Sequence, residues 1–379
     1  MFLKSFSGRY LSLGAITATS LSTIVSASEI PVVTQSNVTM RVMASNLSSG
    51  NNQRYETPGL NILKGLKPDI VAMQEFNVTN SFGVNTPAAI SNMVATTFGT
   101  NFVYFRETGY SIPNGIISRW PFVTNGTWVD SDTGVNDRGF AWAKIKLPGT
   151  NELVVVSVHL KASSGSDNPA RRAAQAAEIT SLIQATFGTN GWIIVAGDMN
   201  LYSDSEAAIT TFKTYLSDSP VPADQNGNVD TNAGRTERYD RVLPSFAMTN
   251  LLVPVVMPSR SYLNGLVFDS RIYTNLTDVP PVVSGDSGAS GMQHMGVVKA
   301  FTYSFTATNF ITVDSPVLTY ELPGILRWQG VSTLTYSVLA STNLTDWNSL
   351  GTATSTTTFF SFTNIVDDSS MRFYRVTYP

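Results

Sequence analysis

Six polar features able to do acid–base or metal chemistry stand where an apolar run stops or starts. Asn46 follows Met40-Arg41-Val42-Met43-Ala44, and Gln74-Glu75 follows Ile70-Val71-Ala72-Met73. His159 ends Val154-Val155-Val156-Ser157-Val158, while Asp198 and Asn200, in Gly197-Asp198-Met199-Asn200, follow Ile193-Ile194-Val195-Ala196. Asp240, in Arg238-Tyr239-Asp240-Arg241, precedes Val242-Leu243, and Gln293-His294 precedes Met295-Gly296-Val297-Val298. Carboxylates and carboxamides are hard oxygen donors that suit a divalent cation such as magnesium rather than zinc. Imidazoles beside carboxylates move protons near neutral pH. Taken singly, each has a plainer reading: a satisfied core histidine, a solvent-facing strand-end carboxylate, or an Asp and Asn doing turn chemistry. The collection of all of them at run ends is what points to one rim of a sheet.

The elements that must position these groups alternate. Strands are expected at 39–44, 69–73, 102–105, 115–118, 141–146, 153–159, 192–196, 241–243 and 295–301, because Val, Ile, Phe and Trp cluster there between Gly, Pro and Asn. Several are apolar at consecutive positions, as in Leu153-Val154-Val155-Val156, which requires cover on both faces. Thr86-Pro87 is a cap and first-turn proline for a helix running to Phe98, and Asn168-Pro169 repeats the signal for a helix closed by Gly188. Two stacked sheets with helices outside satisfy this pattern. From about Asn309 helical periodicity vanishes and short Thr- and Ser-rich runs predict a small all-β domain, 309–379.

Composition narrows the chemistry. The chain has 379 residues, 24 basic and 27 acidic side chains, no cysteine and two histidines. Thiol catalysis, disulfides and thiolate zinc sites are excluded, and a multi-histidine metal centre nearly so. Lys4 and Arg9, the weakly apolar run 11–25 and Val25-Ser26-Ala27 read as a secretory signal peptide over 1–27, too short and polar to span a membrane. The mature chain would carry a charge of about −5, so no broad basic surface meets phosphates and an anionic substrate has to be met locally, through a cation. The loop from Pro220 to Thr236 is polar and long enough to be functional or mobile.

Pro68-Asp69-Ile70-Val71-Ala72-Met73-Gln74-Glu75, Asn114-Gly115-Ile116-Ile117-Ser118-Arg119-Trp120-Pro121, Val158-His159-Leu160-Lys161, Gly197-Asp198-Met199-Asn200, Tyr239-Asp240-Arg241 and a final His294 before a strand stand in the order of the endonuclease/exonuclease/phosphatase superfamily. Over roughly residues 38–304 the chain resembles that family, which includes DNase I-like nucleases, bacterial sphingomyelinases and inositol polyphosphate 5-phosphatases. The resemblance implies an α+β fold, a four-layer αββα sandwich over 28–308. It implies Glu75 as principal magnesium ligand with Asn46 beside it, and Mn2+ or Ca2+ as substitutes. It gives His159 contact with the phosphate and protonation of the leaving oxygen, Asp198 and Asn200 the orientation of the attacking water and the phosphoryl oxygens, His294 the part of base or phosphate ligand, and Asp240 the orientation of His294. Glu107 is expected to support His159, as in the DNase I branch. One departure stands out: the family's usual Ser-Asp-His is Met292-Gln293-His294 here, and Asp286 is the nearest preceding carboxylate.

The expected function is that of a secreted magnesium-dependent phosphodiesterase, a DNase I-like endonuclease acting on nucleic acid without stable membrane insertion. Alternatives are a phospholipid or sphingomyelin phosphodiesterase or a phosphatase of the same fold, and a non-catalytic extracellular binding protein with a degraded site. No exposed aromatic hairpin of the membrane-acting kind stands out in the sequence.

Overall fold

The computed structural model describes residues 10–15, 28–78, 85–313, 318–321, 324–363 and 373–377. The chain divides into two units, Ser36–Phe305 and a second formed by Met1–Gln35 with Thr306–Pro379. Of the expected leader, residues 1–9 and 16–27 lie outside the described residues, and β1 (Tyr10–Ala15) pairs antiparallel with a C-terminal strand of the second unit.

The larger unit holds two sheets. One is formed around β2 (Ser28–Ser45), β3 (Ile70–Met73), β4 (Val103–Arg106) and β5 (Gly115–Ser118). The other runs through β6 (Phe122–Trp128), β7 (Phe140–Lys146), β8 (Glu152–His159), β9 (Trp192–Asp198) and β10 (Asp240–Pro244) in the order β10-β9-β8-β7-β6. The short strands β11 (Leu252–Val253) and β14 (Leu266–Phe268) pair with the long β15 (Gly296–Val313), which lies beside β2 in the first sheet. A separate hairpin joins β12 (Val255–Val256) to β13 (Ser261–Tyr262).

Side-chain alternation makes the layers. Met40, Val42, Ala44, Ile70 and Ala72 of the first sheet meet Leu153, Val155, Ile194, Ala196 and Val242 of the second in one core. The intervening Met43, Val71 and Met73 pack on helices α1 (Thr57–Leu66) and α2 (Pro87–Thr97). Val154, Val156, Val158, Ile193 and Val195 pack on α3 (Asn168–Phe187) and α4 (Ala207–Phe212). Consecutive apolar residues are thus buried on alternate sides, and the αββα sandwich follows.

Two local readings need amendment. Thr86 caps α2 as expected, accepting from the Ala89 amide, but the cap residue of α3 is Asp167, without a side-chain cap bond. Asn168 lies inside the helix and donates from Nδ2 to the Ser163 carbonyl. The second is helix α1, in a segment where no element is expected from the sequence; its Pro58, Gly59 and Gly65 are residues that ordinarily break a helix. Here the glycines admit close packing: a Cβ at Gly59 would lie 2.2 Å from the Leu47 carbonyl oxygen, and one at Gly65 2.5 Å from that of Val279.

The smaller unit is all β. Strands β16 (Thr319–Glu321), β17 (Ile325–Gln329) and β20 (Phe359–Phe362) form one sheet, and β18 (Thr335–Ser341), β19 (Asn348–Thr354) and β21 (Phe373–Thr377) join β1 in the other. Their core gathers Leu326, Trp328, Tyr336, Val338, Phe360, Tyr374 and Val376. Among the described residues no helix is long and apolar enough to cross a membrane.

Candidate active site

Strand register brings the polar residues together. His159 is opposite Asp198 in the parallel β8–β9 pair, and Asp198 is opposite Asp240 in the antiparallel β9–β10 pair, so three strand ends place an imidazole and two carboxylates side by side. In the other sheet Ser45 is opposite Met73, which sets Asn46 and Gln74-Glu75 at the corresponding ends of β2 and β3. The sheets are tied at this rim: Asn46 Nδ2 donates to Asp198 Oδ2 at 3.1 Å, Gln74 Nε2 to Ser157 Oγ at 2.8 Å, and Ser157 Oγ to the Met73 carbonyl at 2.8 Å. Gly197 makes the approach possible. Its φ of +143° is glycine territory, and a Cβ there would fall 2.1 Å from the Val158 carbonyl oxygen and 2.6 Å from Gln74 Nε2.

His294 enters just before β15 and closes the network. Its Nδ1 lies 2.9 Å from Asp240 Oδ2, and its Nε2 lies 3.4 Å from Asp198 Oδ2. His159 Nε2 lies 3.3 Å from the same Asp198 oxygen, and both rings are buried. The two histidines are nevertheless electrostatic opposites. Burial alone would lower His294, but the charges of Asp240 and Asp198, the Asp240 hydrogen bond and the charge of Glu75 raise it to about 10. Burial, then the charges of Arg138 and His294, hold His159 well below its ordinary value. Burial raises Asp198 to about 6 against the opposing pull of His294. At neutral pH the site therefore holds an imidazolium at 294 and a neutral imidazole at 159.

The cluster formed by Asp198, Asp240 and His294 brings one ligand atom from each within 4.8 Å. The imidazolium already supplies a cation between these two carboxylates. Glu75 is differently served: it is buried, with Ser48 Oγ as its hydrogen-bond donor, and no lysine or arginine pairs with it among the described residues. Asn46 Oδ1 is likewise buried, without a hydrogen-bond partner among the described residues. An unpaired buried carboxylate and an unsatisfied carboxamide oxygen at neighbouring strand ends, all oxygen donors, fit a hard divalent cation.

Other expected residues are arranged otherwise. Asn200, at φ +50°, donates its amide N–H to Asp198 Oδ1 at 2.9 Å, but its side chain is tied to the Leu160 carbonyl at 3.1 Å. Glu107 Oε2 accepts from the Asn114 amide at 2.8 Å and the Gly139 amide at 3.2 Å, and burial raises this carboxyl to about 7 despite those bonds. It makes no hydrogen bond to His159, whose Nδ1 is buried without a hydrogen-bond partner among the described residues. Gln293 is exposed, and Asp286 is held by Asn61 Nδ2 and the Val283 amide, so its carboxylate does not join the His294 network.

Sequence reasoning missed Ser48, Arg138 and Thr231. Arg138 fastens the end of β8 by donating to the His159 and Leu160 carbonyls. Thr231 bonds to Asp240. All three lie in connecting segments, where a search for polar residues at apolar run ends has no purchase; only Thr231 carried a cue, as part of the polar loop 220–236.

Residues 60–261 match the model of the Endonuclease/Exonuclease/phosphatase family. No protein in the curated collection matches the chain by sequence. Among solved structures, an endonuclease/exonuclease/phosphatase from Beutenbergia cavernae is 15% identical with TM-score 0.47, covering 90% of this chain and 100% of that one. One from Bacteroides vulgatus is 13% identical with TM-score 0.46, covering 72% and 100%. Sphingomyelinase C from Streptomyces griseocarneus is 14% identical with TM-score 0.42, covering 70% and 99%. With the family match spanning more than half its length, this chain belongs to the endonuclease/exonuclease/phosphatase family, hydrolases of phosphoester bonds.

Proposed function

We propose that the protein is a secreted phosphodiesterase that uses magnesium and hydrolyses nucleic acid in the manner of a DNase I-like endonuclease. The observation that carries the reading is the buried chain His159–Asp198–His294–Asp240, joined through Asn46 to the rim that bears Glu75. Glu75 and Asn46 would hold the divalent cation, Mg2+ first and Mn2+ or Ca2+ as substitutes, which polarises a phosphoryl oxygen and offsets developing charge.

The remaining work falls to the side chains. Asp198, raised to about 6, orients the attacking water and takes its proton as the new O–P bond forms. His294, held by Asp240, rests as an imidazolium against the phosphoryl group and donates its proton to the leaving oxygen as the old P–O bond breaks. Proton return from Asp198 to His294 needs only the 3.4 Å step between them. This moves the donor's part from His159, where the resemblance put it, to His294, because the neutral ring at 159 has no surplus proton, and it moves the base's part from His294 to Asp198. His159 and Asn200 then hold Asp198 in place, and Glu107 supports the β4–β5 and β7 backbone beside His159.

The test uses the purified chain with plasmid DNA, RNA, bis(p-nitrophenyl) phosphate and sphingomyelin vesicles, in Mg2+ or in chelator. Magnesium-dependent cleavage of DNA that is lost in His294→Ala is expected. Cleavage of sphingomyelin alone would move the substrate to lipid, and a folded wild-type chain inert on all four would overturn the enzyme reading in favour of a binding protein. Export is proposed on Lys4, Arg9 and Val25-Ser26-Ala27; N-terminal sequencing of chain recovered from the medium should begin near Ser28.

A further inference from the structure

The polar loop between Pro220 and Thr236 has no part in the scheme above, yet it is firmly built. Arg235, at φ +57°, sends Nη1 to Asp269 Oδ2 at 2.8 Å, Nη2 to Asp224 Oδ2 at 2.7 Å and Nε to the Asp230 carbonyl at 2.8 Å. Asp224 Oδ1 in turn accepts from the Asn226 and Asn228 amides at 2.8 and 3.0 Å. The segment so clamped is stitched to the stretch that leads from His294 into β15: Met295 N donates to the Thr231 carbonyl at 2.6 Å, Ala233 N to the Gln293 carbonyl at 2.7 Å, and Asn232 bridges His294.

We infer that Thr231 is a positioning residue for the Asp240–His294 pair, and that the clamped loop serves to hold its hydroxyl there. Thr231 is fully buried. Its Oγ1 accepts from the Asp240 amide at 2.8 Å and donates to Asp240 Oδ2 at 2.8 Å, the same oxygen that faces His294 Nδ1 at 2.9 Å. Asp240 Oδ1 has no hydrogen-bond partner among the described residues, so the carboxylate plane is set at Oδ2. Without the hydroxyl that plane is free to turn about χ2, and the imidazole loses its fixed partner. One residue thus touches both the backbone and the carboxylate of Asp240 while its own carbonyl holds the residue after His294. The functional part of this inference rests on His294 acting as proposed above; the structural part does not.

The chain's two histidines make the test direct. With 15N-histidine labelling of the full chain, the Nδ1–H of His294 bound to Asp240 should give a low-field proton resonance. Thr231→Val, which keeps the shape and removes the hydroxyl, should shift or broaden that resonance and lower kcat on bis(p-nitrophenyl) phosphate by about 10- to 100-fold with KM little changed. Thr231→Ser should restore both. Should the valine variant not fold, Arg235→Gln loosens the clamp without touching the pair and should broaden the same resonance. A wild-type resonance and wild-type kcat in Thr231→Val, or in Arg235→Gln where that variant stands in, would overturn the inference. A wild-type chain inert toward every phosphodiester, whose resonance is still lost in Thr231→Val, would remove the phosphodiesterase reading and leave Thr231 as the group that positions the pair.

Discussion

Asp240→Asn is the substitution that bears most directly on the network. His294 is raised from 6.5 to about 10, against burial, chiefly by Asp240. A displacement of about 3.5 pH units at 1.36 kcal/mol each is a preference of about 5 kcal/mol for the imidazolium. Asp198 and Glu75 supply part of it, so loss of the Asp240 charge should lower the His294 titration by at least about one pH unit. The sign for stability follows from linkage: a histidine raised on folding stabilises the fold fully below its unfolded value of 6.5, and that contribution is lost as pH rises through about 10. The wild-type advantage over Asp240→Asn in urea unfolding should therefore be largest near pH 6 and narrow toward pH 10. The assay is an NMR titration of 15N-histidine chain, where two imidazoles give two resolvable curves, paired with unfolding at each pH. If His294 titrates at the same pH in both proteins, the assignment of its charge to Asp240 is wrong.

Three further outcomes can be checked. Glu107 is raised from 4.5 to about 7 by burial, so its stabilising contribution is complete below 4.5 and is lost as pH rises through about 7. Glu107→Gln cannot ionise and should gain on the wild type between pH 5 and 8, by up to about 3 kcal/mol; a pH-independent difference in urea unfolding would refute this. Gly197→Ala forces a Cβ onto the Val158 carbonyl and should cost on the order of 3 kcal/mol, read as a lower Tm, whereas an unchanged Tm would show that the rim yields. Glu75→Gln should abolish the dependence of hydrolysis on added Mg2+ together with the activity, as chelator does to the wild type, and a fully active Glu75→Gln chain would place the cation elsewhere.

Much of the fold is legible along the chain because burial on both faces leaves a mark that needs no partner to be read. Leu153 to Val156 is apolar without interruption since alternate side chains enter different cores, and Ile193 to Ala196 repeats the pattern. Where close approach replaced bulk the mark disappears: α1 carries glycines at the points where it meets the backbone at Leu47 and Val279, and glycine reads as a break.

The sequence by itself determined which residue types collect at the strand ends, that both histidines are among them, and that oxygen donors rather than thiolates are available to a cation. Only the tertiary structure decided how they act on one another. His159 and His294 are the same side chain, yet one sits by Arg138 and the other between Asp240 and Asp198, so they hold opposite charge states. Thr231 is nine residues from Asp240, and nothing in that spacing shows that a loop held by Arg235 returns it to the carboxylate at 2.8 Å. Charge state and hydrogen-bond direction depend on what lies within a few ångströms in space, and those neighbours come from strands far apart along the chain.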